Sequence, residues 1–293
     1  MRRIGFFLLV NMGMMVTVMV IANLLGLKPY IDSSGLNLES LAMFALLWGM
    51  GGSFLSLLLS KKMAKWMMKL EMVEPSSGGF KGELALRVHR LAGMAGLKKM
   101  PEVAIYQSPE INAFATGPSK SNSLVAVSTG MLNHMDNDEL EGVLGHEVAH
   151  IANGDMVTLT LVQGVVNAFV IFFSKILAWA VANFLRSDED EGPSTLVFYA
   201  IDIVFQILLG FLGMVVVSWF SRKREYRADI GGAQLAGKDK MIAALTKLKM
   251  SFPALETTKG QESIAAFKIS SKRSSIFSTH PDLDDRIDAL KSM

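Results

Sequence analysis

The sequence predicts an α+β membrane protein that is predominantly helical, with four transmembrane helices and a soluble part built on a small sheet. Of the 293 residues, 51% are hydrophobic and the mean hydropathy is +0.35, which is too apolar for an ordinary soluble protein. The apolar residues concentrate in four stretches, each at least as long as the ~20 residues that a spanning helix needs. These stretches are residues 4–27, 38–59, 157–185 and 196–220.

The four stretches are expected to form two hairpins that interrupt the soluble part of the chain. The predicted division is an N-terminal transmembrane hairpin at 1–60, a first soluble part at 61–155, a second transmembrane hairpin at 156–221 and a second soluble part at 222–293. The first stretch is too long for a cleavable signal peptide and has no small-residue cleavage site, so the chain is expected to keep it.

Two charged residues fall inside the second predicted hairpin, Lys175 in one arm and Asp202 in the other. The rise of an α-helix places them at similar depths. Isolated charges at that depth are costly, and pairing would relieve both. We therefore predict that Lys175 and Asp202 contact each other.

Basic residues near the apolar stretches predict the orientation of the chain in the membrane. Loops rich in lysine and arginine stay in the cytoplasm, which places both termini and both soluble parts there. The cytoplasmic side would carry Arg2, Arg3, Lys61, Lys62, Lys65, Lys69, Arg222, Lys223, Arg224 and Arg227, and the outer loops only Lys28 and Arg186. These residues suit a lipid surface, and the absence of interleaved aromatic and basic residues argues against nucleic-acid binding.

The most informative segment is HEVAH, which begins at His146. Residues four apart lie on one helix face, so the imidazoles of His146 and His150 can reach one tetrahedral metal ion. Glu147 lies about 100° further round the helix, which places its carboxylate beside the metal as a base for water rather than as a ligand. The helix is expected to begin at the capping pair Asp136 and Glu139 and to end at an Asn-Gly pair.

A catalytic zinc site needs a third protein ligand and keeps one position open. The chain has no cysteine, which leaves a carboxylate or one of the histidines His89, His134 and His280. Glu225 is the strongest candidate. Asp229 follows it one turn later on the same helix face and could accept the free ring N–H of a ligating histidine.

Four segments together resemble the HtpX family of bacterial membrane zinc metalloproteases, which are relatives of the CAAX prenyl proteases. They are HEVAHIANGD, EYRAD, NAFATG and THPDLDDRI, and the resemblance covers nearly the whole chain. It implies a gluzincin fold, one zinc ion per chain held by His146, His150 and Glu225, and Glu147 as the general base. It also implies proteolysis at the cytoplasmic face of the bacterial inner membrane, in stress-related quality control of membrane proteins.

The small sheet is predicted from short strands at 103–106, 113–116 and 124–128, preceded by a helix at 83–97. An extended peptide substrate can add as a strand to an exposed sheet edge. With the help of the resemblance, the predicted edge residues are Asn112, Ala113, Phe114 and Ala115.

His280 stands before Pro281, at the start of a predicted helix that carries Arg286. By the resemblance, this segment approaches the active site. An imidazole or guanidinium there would stabilise the oxyanion of a tetrahedral intermediate. His280 is therefore the second predicted catalytic residue, beside Glu147.

The predicted function is a membrane-anchored zinc endopeptidase that cleaves unfolded or misfolded proteins. No phosphate-binding motif G-x-x-x-x-G-K-[ST] is present, so cleavage without ATP is expected. One alternative is a CAAX-type processing protease, for which the resemblance leads us to expect more than four spans. The other is a membrane adaptor that keeps a metal for stability alone. An intact Glu147 argues against the adaptor, because a purely structural site needs no base.

Overall fold

The computed structural model describes residues 37–185, 195–255 and 278–293. The helices in these ranges are α1 (Leu38–Met67), α2 (Gly79–Met94), α3 (Thr129–His134), α4 (Asn137–Asn153), α5 (Asp155–Phe184), α6 (Thr195–Ala236), α7 (Lys238–Leu255) and α8 (Leu283–Lys291). The strands are β1 (Glu71–Val73), β2 (Glu102–Tyr106), β3 (Ala113–Ser119) and β4 (Asn122–Ser128).

The chain divides into two compact units. Within the described ranges, the apolar unit comprises residues 37–55, 160–185 and 195–217, and the sheet unit comprises residues 56–159, 218–255 and 278–293. Helices α1, α5 and α6 each contribute residues to both units.

Three helices in the described ranges, α1, α5 and α6, are long and apolar enough to cross a membrane. Their large apolar side chains face outward in the apolar unit, among them Trp48 at 70% exposure and Leu212 at 65%. Soluble monomers rarely expose apolar surface on this scale, whereas lipid contact favours it. The predicted span at residues 4–27 lies outside the described residues, so three of the four predicted spans correspond to described helices.

The predicted contact between Lys175 and Asp202 is confirmed. Lys175 Nζ donates to Asp202 Oδ2 at 2.9 Å, and Gln206 Nε2 donates to the same oxygen at 3.0 Å. Asp202 is only 2% exposed. Lys175 Nζ also lies 5.9 Å from the ring centroids of Phe198 and Tyr199. The ion pair therefore joins α5 to α6 inside the apolar unit.

Reversing either charge of this pair should destabilise the protein, because a like charge then stands beside a buried one. We expect Lys175→Asp and Asp202→Lys each to lower the free energy of unfolding by roughly 3 kcal/mol, the scale for breaking a buried ion pair. The double reversal should recover most of that loss. Thermal unfolding in detergent micelles measures it, and a double variant no more stable than either single one would show that the pair does not stabilise the fold.

The sheet unit contains a four-stranded sheet with the order β1-β2-β4-β3. Strands β2 and β4 are parallel, while β3 pairs with β4 and β1 with β2 in antiparallel register. The three predicted strands are confirmed, each with longer bounds. Strand β1 was not predicted, because its three residues are too few to show an alternating pattern of apolar and polar residues. The strand order leaves β3 at one edge of this sheet.

Helix α4 carries the HEVAH segment and begins at the predicted capping pair. Asp136 Oδ1 accepts from the main-chain N–H groups of Asp138 and Glu139 at 2.9 and 2.8 Å, and Glu139 Oε2 accepts from the N–H of Asp136 at 3.0 Å. The left-handed residue Gly154, with φ of +70°, ends the helix. The apolar face of α4 enters the core of the sheet unit through Leu140, Val143, Leu144, Val148 and Ile151.

Glycine at position 232 allows α6 to cross α4 beside the HEVAH segment. A Cβ atom on Gly232 would lie 2.9 Å from the main-chain nitrogen of His146, closer than side chains approach backbone. Glu225, Asp229 and Gly232 share one face of α6, because residues three and four apart lie on the same side of a helix. The close crossing therefore turns both acidic residues toward α4.

Candidate metal centre

Three predicted ligands from α4 and α6 converge on one point. The Nε2 atoms of His146 and His150 are 3.1 Å apart. Glu225 Oε1 lies 3.3 Å from His150 Nε2, and Glu225 Oε2 lies 3.6 Å from His146 Nε2. In the described part of the chain, these residues form the only group of three or more histidine and acidic side chains arranged to hold a metal ion.

The spacing of these atoms fits a small tetrahedral cation. Ligand bonds of about 2.0–2.2 Å in a tetrahedron place neighbouring ligand atoms roughly 3.3–3.6 Å apart. The Nε2 atoms of the two histidines are 3.1 Å apart, and each lies at a similar distance from a different oxygen of Glu225, His150 Nε2 at 3.3 Å from Oε1 and His146 Nε2 at 3.6 Å from Oε2. Two imidazoles and one carboxylate are also the ligand types that zinc takes in hydrolases. The residues therefore fit zinc in chemistry and in spacing.

The ionised carboxylate of Glu225, buried among histidines, gives the site the negative charge that favours a cation. Glu225 is buried beyond the apolar stretch of α6; burial alone raises its pKa, but His280, His146 and His150 hold that pKa well below its usual value. Burial lowers the pKa of His150, yet hydrogen bonds with Asp155 and Glu225 raise it to about 10. Because a metal ion binds the neutral form of an imidazole, metal binding at His150 displaces a proton.

Asp229 and Arg286 hold the first histidine in place. Asp229 Oδ1 lies 2.9 Å from His146 Nδ1, so the ring N–H that faces away from the metal position donates to a carboxylate. Arg286, from α8, donates to both oxygens of Asp229, from Nε at 2.8 Å and from Nη2 at 2.6 Å. Burial raises the pKa of Asp229, but Arg286 lowers it to about 2, which keeps the carboxylate charged.

Glu147 is buried at 3% exposure beside the two histidines. No hydrogen bond or ion pair joins its carboxylate to another residue in the described ranges. Its position on α4, one residue after His146, keeps it outside the group of three ligands. The carboxylate is therefore free to act on a bound molecule.

His280 contacts the third ligand. Its Nδ1 donates to Glu225 Oε2 at 2.8 Å, and its side chain is 15% exposed. The other two candidate histidines lie elsewhere: His89 Nε2 is 3.1 Å from the carbonyl oxygen of Pro101, and His134 Nδ1 is 2.8 Å from that of Gly130. Of the three alternatives to Glu225, only His280 is therefore at the site.

The predicted substrate edge is the start of β3, and most of it is covered. Asn112, Ala113 and Phe114 are buried, whereas Ala115 is partly exposed. The main-chain oxygen of Asn112 accepts from the N–H of Ser128 at 2.9 Å. Because hydrogen-bonded pairs alternate along an antiparallel ladder, the N–H and C=O of Ala115 point away from β4.

Comparison with known proteins identifies the chain. Residues 81–293 match the model of Peptidase family M48. The chain belongs to peptidase family M48. It is 49% identical to a protein named Protease HtpX homolog from Bacillus velezensis, over 99% of each chain. It is also 49% identical to Protease HtpX from Hydrogenovibrio crunogenus, over 100% of this chain and 97% of that one. The resemblance to the HtpX family is confirmed.

A solved structure shows the same fold. The crystal structure of S. mikatae Ste24p matches this M48 chain with a TM-score of 0.61 at 18% identity, over 95% of this chain and 65% of that one. The predicted α+β, mostly helical membrane-protease fold is thus confirmed in outline. This M48 chain is a membrane-associated metalloprotease, and the proteases of its family depend on zinc in general.

One contact at the centre has no counterpart in the sequence prediction. Asp155 Oδ2 lies 2.8 Å from His150 Nδ1, on the ring nitrogen that faces away from the metal position. The sequence shows Asp155 directly after the Asn-Gly pair that ends α4, at the start of an apolar stretch, where it resembles an ordinary helix-start residue. The sequence feature that could have identified Asp155 as a partner of His150 is a carboxylate a few residues after HExxH.

Proposed function

We propose that this M48 protease hydrolyses peptide bonds with one zinc ion held by His146, His150 and Glu225. The observation that carries the proposal is the convergence of these side chains beside Glu147, a buried carboxylate that no described residue engages. The chemistry that a bound zinc ion supplies is activation of water and polarisation of the peptide carbonyl.

Glu147 is the general base in this proposal. Its carboxylate accepts the proton of the attacking water and then passes it to the amine nitrogen of the leaving half of the substrate. Because Glu147 is buried, water is largely excluded around it, which strengthens its electrostatic interaction with the reacting groups.

His280 is the second catalytic residue in this proposal. Its Nδ1 is engaged by Glu225, so only Nε2 is available to a substrate. From Nε2 the ring can donate to the oxyanion of the tetrahedral intermediate, provided that it carries both protons. Arg286, which supplies the guanidinium of this segment, has two of its donors engaged by Asp229.

Strand β3 supplies the substrate-binding edge in this proposal. Of the four predicted edge residues, Ala115 is the one that is partly exposed, and its main-chain N–H and C=O point away from β4. An extended peptide that bonds there gains affinity from backbone contacts and needs no particular sequence. Such binding suits unfolded or misfolded chains.

Ala115→Pro tests the edge directly. Proline removes the N–H that would bind substrate, and it is tolerated where a strand N–H faces away from the sheet. We expect KM for an unfolded protein to rise several-fold, with zinc content and thermal stability close to those of the wild type. Ala115→Ser, which keeps the N–H, is the matched control. Equal KM values in the two variants would contradict a role for this edge.

We place the reaction at the cytoplasmic face of the bacterial inner membrane, in stress-related quality control of membrane proteins. The lysines and arginines near the apolar stretches support this side of the membrane. The absence of a phosphate-binding G-x-x-x-x-G-K-[ST] motif supports cleavage without ATP.

The test of the proposed function is proteolysis by the purified full-length chain in detergent. Unfolded casein should be cleaved without ATP, chelation of zinc should stop cleavage, and added zinc should restore it. A tightly folded globular protein should resist under the same conditions. Casein cleavage that persists after zinc has been removed, or that requires ATP, would contradict the proposal.

Two other outcomes would favour the alternative functions. Cleavage restricted to a lipid-linked C-terminal peptide would favour the CAAX-type alternative, and zinc binding with no cleavage of any substrate would favour an adaptor.

A further inference from the structure

Asp155 occupies the same place around His150 that Asp229 occupies around His146. Each carboxylate lies within 3 Å of the Nδ1 atom of its histidine, at 2.8 Å for Asp155 and 2.9 Å for Asp229. Both acids are 1% exposed. They come from different helices, so the likeness arises from the fold and not from a repeated motif.

The turn at Gly154 brings Asp155 to this position. In a continued α4, a residue five after His150 would lie about 140° away from it round the helix. Gly154 adopts a left-handed conformation, with φ of +70°, so the chain leaves the axis of α4 and starts α5 at Asp155. The acid then returns toward the His150 ring.

The hydrogen bonds of Asp155 indicate a role at the metal centre. Its Oδ1 is buried and accepts no hydrogen bond in the described part of the chain, and Arg227 Nη2 lies 3.8 Å away. Its Oδ2 receives a hydrogen bond from His150. Burying a carboxylate is costly unless its oxygens accept hydrogen bonds. A single hydrogen bond does not offset that cost, so stabilisation of the fold does not by itself explain a buried acid at this position.

The segment around Asp155 is held by its backbone. Arg224, buried at 8% exposure, donates from Nη1 to the main-chain oxygen of Asp155 at 3.0 Å and from Nη2 to Ser221 Oγ at 3.0 Å. The main chain at Asp155 is thus anchored to α6 without use of the Asp155 carboxylate. The carboxylate remains committed to His150.

We propose that Asp155 is a positioning residue that fixes the tautomer and the orientation of His150. With its proton on Nδ1 and donated to Asp155, the ring presents an unprotonated Nε2 to the metal position. A negative partner also makes that nitrogen a stronger ligand. This inference rests on the proposed zinc site, and it assigns to each histidine of that site its own buried carboxylate.

Zinc affinity and the cobalt spectrum of the full-length protein test the proposal. Asp155→Ala should bind zinc about 10–100-fold more weakly than the wild type in competition with a chelator, the range for loss of a partner of a metal-bound histidine. With cobalt substituted for zinc, its visible absorption bands should shift, because the His150 ring is no longer held. Asp155→Asn keeps an acceptor but loses the charge, so its affinity should fall between the two. Asp288→Asn, on the exposed face of α8, is the matched control and should behave as the wild type.

Three results would overturn the inference. The first is wild-type zinc affinity with an unchanged cobalt spectrum in Asp155→Ala. The second is lower thermal stability of the metal-free variant with an unchanged spectrum, which would indicate a role in folding alone. If Asp155→Ala does not fold, Asp155→Asn decides by the same two measurements. The third is a wild-type protein that binds neither zinc nor cobalt, which would overturn the proposed zinc site as well. If the wild type binds both metals and only the Asp155 variants give the contrary results, the zinc site stands and the role of Asp155 is wrong.

Discussion

Glu147→Gln should abolish proteolysis while zinc stays bound at about one ion per chain. The substitution removes a base and keeps nearly the same shape, and Glu147 lies outside the group of three ligands. Loss of a general base costs about 10²–10⁴-fold in rate. Casein cleavage by the purified variant and zinc content by elemental analysis measure the two expectations together.

The matched control is the same substitution elsewhere on α4. Glu141 pairs with Arg90 and Lys240 away from the histidines, so Glu141→Gln should keep both zinc and activity. If Glu147→Gln loses zinc, its carboxylate is a ligand and the assigned role is wrong. If it keeps full activity, another group must take the proton from water.

Glu225→Ala should weaken zinc binding more than any other single change on α6. The variant loses one of the three ligands, so we expect zinc affinity to fall by more than about 100-fold, beyond the range for an outer partner. Asp229→Ala should lower the affinity by about 10–100-fold, because Asp229 acts through His146. Competition with a chelator gives both values on one scale.

The order of these two effects matters more than their sizes. Wild-type zinc affinity in Glu225→Ala would exclude Glu225 as a ligand and favour His280, the one other candidate that lies at the site. An effect of Asp229→Ala as large as that of Glu225→Ala would suggest that Asp229 holds the metal directly. Asp288→Ala, an exposed acid of α8, controls for loss of negative charge.

Local spacing predicted the parts of the site that lie within one helix. The pair His146 and His150, and the pair Glu225 and Asp229, each depend on residues four apart on a helix face. Two apolar stretches separate the two pairs in the sequence, and the need for a third ligand in a chain without cysteine connected them before the resemblance implied the same ligands. The contact between Lys175 and Asp202 was predictable for a different reason. An isolated charge in an apolar helix is costly, so each of the two charges needs an opposite charge at the same depth.

Contacts made across a turn or between distant segments were not predictable in this way. Asp155 reaches His150 only because the left-handed Gly154 ends α4 just before it, and no periodic pattern crosses that residue. Arg286 was expected near the substrate, but it donates to both oxygens of Asp229. The sequence predicted which segment approaches the centre. The contact that its cation makes depends on side-chain packing, which spacing does not encode.

The accessible part of the predicted substrate edge could not be read from the sequence. Strand β3 lies at an edge of the sheet, which an alternating pattern alone cannot show. Burial then differs from residue to residue, with Ala113 fully covered and Ala115 partly open. Exposure depends on neighbouring elements, so the accessible part of the strand had to be observed in the structure.

X-ray absorption at the zinc edge tests the central claim most directly. The claim is that His146, His150 and Glu225 hold one zinc ion and leave a position open for water. The spectrum of the purified full-length protein should contain two imidazoles and otherwise oxygen ligands, and His280→Ala should leave it unchanged. A third imidazole that disappears in His280→Ala, or a protein that binds no zinc, would contradict the account.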